Sequence, residues 1–248
     1  MISYKRLGIF WGMGAGMFLL RLGQNMHDFD PVTGLYTRGT AGIALAALVV
    51  ISLVLAFAFS RSGGKDRPLF SEYFASPDRS TTALVVAAFL FAAGGVLIGK
   101  DALGADMRIA ALVTAAFALL SCLSLLVMTR KMRGEGARSV VMTLPLLFFA
   151  AFWVLTLYLP AASDPVLARY YLPILAASVS AYALAQLAGF FRKETRVRAF
   201  RFVASYAVAL CIAALAELNA HSVLFAAIAL MLSVFLVLEG KASESENE

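Results

Sequence analysis

The chain has 248 residues, of which 61% are hydrophobic and 15% charged, whereas a soluble domain averages about 45–50% apolar and about 25% charged. With a mean hydropathy of +0.84 and apolar runs from end to end, this composition excludes a soluble enzyme, a nucleic-acid-binding domain and a disulfide scaffold. What it leaves is an all-α, polytopic transmembrane helix bundle. The net charge of +6 would point a soluble protein toward nucleic acid, but here the basic residues are first of all topology signals.

A bilayer core about 30 Å thick takes about 20 helical residues. Stretches of that length, bounded by charge, glycine or proline, predict eight spans at approximately 5–27, 40–60, 81–99, 107–129, 138–160, 166–190, 199–217 and 220–239. The first is the weakest, because Arg21, Gln24, Asn25 and His27 intrude on its second half. Of the 21 basic residues, only Arg21, Arg38, Lys100, Arg108 and Arg169 fall on one side, and the other 16 fall on the opposite side. Cytoplasmic loops collect Lys and Arg, so the N-terminus and the C-terminus are both expected in the cytoplasm. Without a first span, Lys5 and Arg6 would move to the poorly charged side. A signal peptide is the competing reading of residues 5–27, but no small-x-small cleavage pattern precedes Gln24–Asp30, so the segment reads as an uncleaved helix.

No connection exceeds about 20 residues, too few for a separate domain. Residues 1–240 therefore read as one transmembrane domain, and 241–248 as a disordered acidic tail. Taken in chain order, Gly8, Gly12 and Gly16 share one face of the first span, where another helix can approach closely, either within the chain or from a second copy. Asp30-Pro31-Val32-Thr33-Gly34 has turn chemistry. The longest loop, 61–80, carries Leu69-Phe70-Ser71-Glu72-Tyr73-Phe74, an aromatic run suited to an interfacial half-helix. Gly95 and Gly99 repeat the packing motif in the third span, and Ser205, Ala209 and Ala213 do so in the seventh. Cys122 and Cys211 lie mid-span and read as small core residues. Pro145 and Pro173 fall inside the fifth and sixth spans and should kink them, whereas Asp164-Pro165 reads as an N-cap followed by proline at the first helical position. Ser178, Tyr182 and Gln186, at i, i+4 and i+8, make a polar stripe that lines a path or bonds between helices. The loop 190–202 alternates arginine with phenylalanine, which suits anionic headgroups.

Arg21 is the most informative residue, because a guanidinium inside a span is costly unless it snorkels or finds an anion. The seventh span ends at Glu217-Leu218-Asn219-Ala220-His221 on the same side, which predicts that Arg21 and Glu217 meet. That pair is either a structural ion pair or, with Asp28 and His221, part of an outward-facing ligand site. A metal or haem site can be drawn from His27, His221 and the nearby carboxylates, but two single histidines lack a ligand motif, so no metal and no cofactor is expected. There is no phosphate loop and no nucleophile elbow.

The run Leu144-Pro145-Leu146-Leu147-Phe148-Phe149-Ala150-Ala151-Phe152-Trp153, followed by Asp164-Pro165-Val166-Leu167, Tyr170-Tyr171 and Ala188-Gly189-Phe190, resembles a group of uncharacterised multispanning membrane proteins of anaerobic Gram-positive bacteria. Asp30-Pro31-Val32-Thr33-Gly34-Leu35 resembles the turn after their first span. The resemblance implies a bacterial cytoplasmic membrane and carries over no activity and no functional residues. Two functions stay open: a permease-like protein with an outward polar cluster of Arg21, Asp28, Glu217 and His221, or a structural or accessory subunit. The latter would pack on a membrane partner, or on its own copy, through the glycine face of the first span. An enzyme is the less expected class, and the bilayer is the expected environment, with no nucleic acid.

Overall fold

In a bilayer the backbone of a long apolar run has no partner but itself, so it coils. The computed structural model describes residues 2–29, 36, 39–61, 70, 74, 78–103, 108–132, 140–164, 169–192 and 194–245. Its helices are α1 (Ile2–His27), α2 (Thr40–Ser60), α3 (Asp78–Ala102), α4 (Arg108–Met132), α5 (Leu144–Ser163), α6 (Tyr171–Gly189), α7 (Val197–Ala214) and α8 (Ala220–Ser245). Seven of them, α2 to α8, are long and apolar enough to cross a membrane, so the chain is a multi-pass helical membrane protein. α1 is as long as any at 26 residues, but five glycines and Arg21 dilute its hydropathy.

α7 is the hub, packing against α1, α2, α6 and α8. Of its apolar window 83% is buried inside the chain, against 17% for α2, which packs chiefly on α1 and α7 at the periphery. α3, α4, α5 and α6 follow one another around the other side, and α8 closes the circuit by packing on both α3 and α7. Small side chains set these approaches. A Cβ on Gly14 would stand 2.8 Å from Ile212 Cβ and 3.0 Å from the Ala209 carbonyl, so α1 and α7 meet nearly backbone to backbone. Gly95 does the same for α3 against Ala115 and Ala118 of α4, with Gly99 also facing Ala115, while neighbouring Gly94 admits Leu224 of α8. Between α3, α5 and α8 the interior is filled by Phe91, Phe149, Trp153 and Phe225, with successive ring centroids 5.2, 5.3 and 4.6 Å apart.

Several expectations are corrected. Pro145 lies in the first turn of α5, after a 3-10 turn at Val140–Thr143, and Pro173 in the first turn of α6. The first four N–H groups of a helix have no intrahelical acceptor, so neither proline costs a bond or imposes a kink. Among the described residues, the proline inside a helix is Pro160, near the end of α5. Asp164 ends α5 instead of capping α6, and its carboxylate accepts the Tyr170 hydroxyl at 2.9 Å. Burial and that bond push the Tyr170 hydroxyl above its ordinary pKa. Of the aromatic run 69–74, expected as an interfacial half-helix, the described residues include Phe70 and Phe74. Both are buried, one turn apart, against Phe190, Phe191, Phe200 and Phe235, because long-range aromatic partners offer more contact than an interface does. α8 continues to Ser245, into the segment expected to be disordered, where Lys241, Ala242 and Glu244 are good helix formers. The turn 30–35, Pro165 and most of the loop 61–80 lie outside the described residues.

Candidate functional site

Arg21, Gln24, Asn25 and Asp28 are spaced i, i+3, i+4 and i+7 and so form one polar stripe at the end of α1. Arg21, Asn25 and Asp28 each find a partner beyond α1. Arg21 is fully buried. Its Nε donates to Glu217 Oε1 at 2.8 Å, with Nη2 also 2.8 Å from that oxygen; Nη1 donates to Gln24 Oε1 at 2.7 Å, and Nη2 to the Arg169 carbonyl at 2.5 Å. The Tyr171 ring centroid lies 5.6 Å from the guanidinium carbon. At least three of the five N–H donors of the guanidinium are thus engaged. One side chain ties α1 to the start of α6 and to the α7–α8 hairpin.

The hairpin presents Glu217 through its own local chemistry. α7 tightens into a 3-10 turn at Leu215–Glu217, and Leu218 adopts a left-handed conformation, φ 48° and ψ 38°, that reverses the chain. Asn219 then caps α8: its Oδ1 accepts the His221 N–H at 3.0 Å, while Ser222 Oγ accepts the Asn219 N–H at 3.2 Å, a reciprocal cap. Asn25 adds a bond from its Nδ2 to the Ala216 carbonyl at 3.3 Å.

The structure brings Arg21 and Glu217 together but gives Asp28 and His221 other tasks. Asp28 is buried against the start of α2, where its Oδ2 accepts the Gly42 N–H at 3.2 Å. Its carboxylate occupies the space a side chain at Gly39 would need. A carboxylate there satisfies an unpaired amide and meets the positive end of the helix dipole. His221 faces α5, its Nδ1 accepting the Trp153 indole N–H at 3.2 Å, and His27 is exposed. Among the described residues no three or more His, Cys, Asp or Glu side chains gather as a metal-binding group.

The α6 stripe lies outward: Ser178 and Tyr182 are exposed and Gln186 is half-buried. The inward polar group of α6 is Ser180, which donates to the Ala176 carbonyl at 2.6 Å and sits 3.1 Å from Cys211 Sγ of α7. Gly8 and Gly12 are also open. A Cβ at either meets nothing within 4 Å, and one at Gly16 meets only Leu48 of α2 at 3.7 Å. The glycine that joins α1 to the chain is Gly14, which the four-residue pattern passes over because it lies on another face. Tyr171 and the Arg169 carbonyl were also invisible in the sequence, since nothing local marks a ring or a main-chain oxygen as an arginine acceptor. Comparisons with family models, with curated proteins and with solved structures found no match.

Proposed function

We propose that this protein is a non-catalytic structural subunit of the bacterial cytoplasmic membrane, with all eight helices spanning it, and that it pairs with a second copy of itself through α1. The observation that carries this reading is the open glycine face. Gly8 and Gly12 point away from α2, α7 and α8, in line with exposed Tyr4, Ala15 and Leu19. Glycine leaves the main chain bare, and hydrocarbon offers it little in return; a second helix bearing the same small residues can come close enough for main-chain van der Waals and Cα–H···O contact. The pattern is its own complement about a two-fold axis. The polar cluster supports the reading from the other side, because Arg21 has most of its donors engaged within the chain.

The test is dilution-dependent energy transfer between labelled full-length copies in liposomes. Gly12→Leu fills a space that the single chain leaves empty, so the fold should survive while pairing weakens by at least about tenfold, ~1.4 kcal/mol. A wild-type chain that stays monomeric, or a Gly12→Leu chain that pairs as well, overturns the reading.

A permease reading has one observation in its favour. Glu217 keeps 13% exposure while its partner Arg21 has none, so the carboxylate is the accessible member of the pair. Uptake of small carboxylates by proteoliposomes that Glu217→Gln abolishes would favour it.

A further inference from the structure

At the end of the bundle that carries most of the exposed arginines, α2 finishes where α7 begins. Phe57 of α2 and Phe202 of α7 touch edge to face with centroids 6.1 Å apart. One turn further out, Arg61 follows Phe57 by four residues and Arg198 precedes Phe202 by four, so both arginines stand at the head of one seam. Arg61 lies 4.6 Å from the Phe57 ring centroid. Both arginines are exposed and neither forms an ion pair with a carboxylate among the described residues. Below Arg61, Phe57, Val54 and Val50 continue down one face of α2 and are 51, 59 and 59% exposed. Cations at the head of an apolar stripe, at the depth where a membrane's headgroups lie, match the chemistry of one molecule.

We propose that the α2–α7 seam binds an anionic phospholipid, with its phosphate between Arg61 and Arg198 and an acyl chain along Phe57, Val54 and Val50. Arginine suits the role because its planar donors grip phosphate oxygens in pairs, and the phenylalanine beneath Arg61 holds that guanidinium at the surface by a cation–π contact. The stripe selects a lipid over a free phosphate, and the two exposed positive charges select an anionic lipid over a zwitterionic one.

Native mass spectrometry of the full-length protein released from phosphatidylglycerol/phosphatidylcholine nanodiscs tests this. Wild type should retain phosphatidylglycerol preferentially. Each guanidinium near an anionic surface contributes about fivefold, so Arg61→Gln with Arg198→Gln should lower that preference roughly 30-fold. Both side chains are exposed, and an unchanged far-ultraviolet circular dichroism spectrum verifies folding. Lys100→Gln, which removes an exposed charge at the opposite end, should leave the preference intact. An unchanged preference in the double variant overturns the proposal. So does an equal loss in Lys100→Gln, which would mean diffuse attraction, or displacement of the lipid by inorganic phosphate, which would mean a soluble-anion site.

Discussion

Replacing Arg21 with methionine keeps most of the side chain's length and removes its charge. The guanidinium is fully buried and serves Glu217, Gln24 and the Arg169 carbonyl at 2.5–2.8 Å. Removing one partner of a buried ion pair costs about 3–5 kcal/mol, since the other charge is left alone. Glu217 is 13% exposed and recovers some hydration, which puts Arg21→Met near the lower end, about 3 kcal/mol. Glu217→Gln keeps an acceptor for Arg21 and should cost about 1.5–3 kcal/mol, the worth of a charged hydrogen bond. Arg21→Met combined with Glu217→Met leaves no buried charge, so the double variant should be more stable than the sum of the single losses implies. Reversible unfolding in mixed micelles by added dodecyl sulfate, followed by far-ultraviolet circular dichroism, measures all three. Arg21→Met within about 0.5 kcal/mol of wild type, the range of an inconsequential surface change, would refute the reasoning. Strict additivity of the two single losses would refute it equally.

The same assay serves two further contrasts. Gly14→Ala drives a Cβ to 2.8 Å from Ile212 and should destabilise by about 1–3 kcal/mol, whereas Gly12→Ala meets open space within the chain and, at dilutions where the chain is monomeric, should be neutral or gain up to about 1 kcal/mol from helix propensity. Phe74→Ala empties a fully buried site among four rings and should cost about 3–5 kcal/mol, while Phe89→Ala, 62% exposed, should cost far less. Tyr170 should titrate above the ordinary 10.0 because burial and Asp164 disfavour its phenolate. The stability this raised pKa contributes is fully present below pH 10 and is lost as pH rises through the folded value. Absorbance at about 295 nm, wild type minus Tyr170→Phe, checks the direction; titration at or below the ordinary value would contradict it.

Helices were legible in this sequence because a bilayer leaves apolar backbone no alternative, and Arg21 was legible as a residue in need of an anion for the same reason. Their arrangement was not. In water, apolar periodicity marks the inward face of a helix, but lipid is as apolar as a protein core, so hydropathy does not rank the helices by burial: α2 is the most apolar and the most peripheral, yet α8, nearly as apolar, is largely buried. Side-chain size does not separate buried α7 from peripheral α2 either, since α2 and α7 carry six alanines each. The glycine that does bring two helices together, Gly14, lies on another face of α1 than the regular series of Gly8, Gly12 and Gly16. Pro145 and Pro173 were misplaced because their effect depends on which residue begins the helix, a boundary that 3-10 and loop residues shift by a turn. The burial of Phe70 and Phe74 was not legible because the phenylalanines that bury them are more than a hundred residues away. In the cluster, Asp28 and His221 share an end of the bundle with Arg21 but are claimed by nearer groups, an α2 amide and the Trp153 indole.

Self-pairing through α1 is tested most directly by cross-linking in membranes. Cys122 and Cys211 are free and buried, so their replacement by alanine leaves a background in which a single cysteine reports proximity. With Gly12→Cys, oxidation should join two chains rapidly, whereas Ile43→Cys, on the exposed face of α2 at 71%, should stay monomeric. Failure of Gly12→Cys to cross-link, or equal cross-linking at Ile43→Cys, would contradict the account.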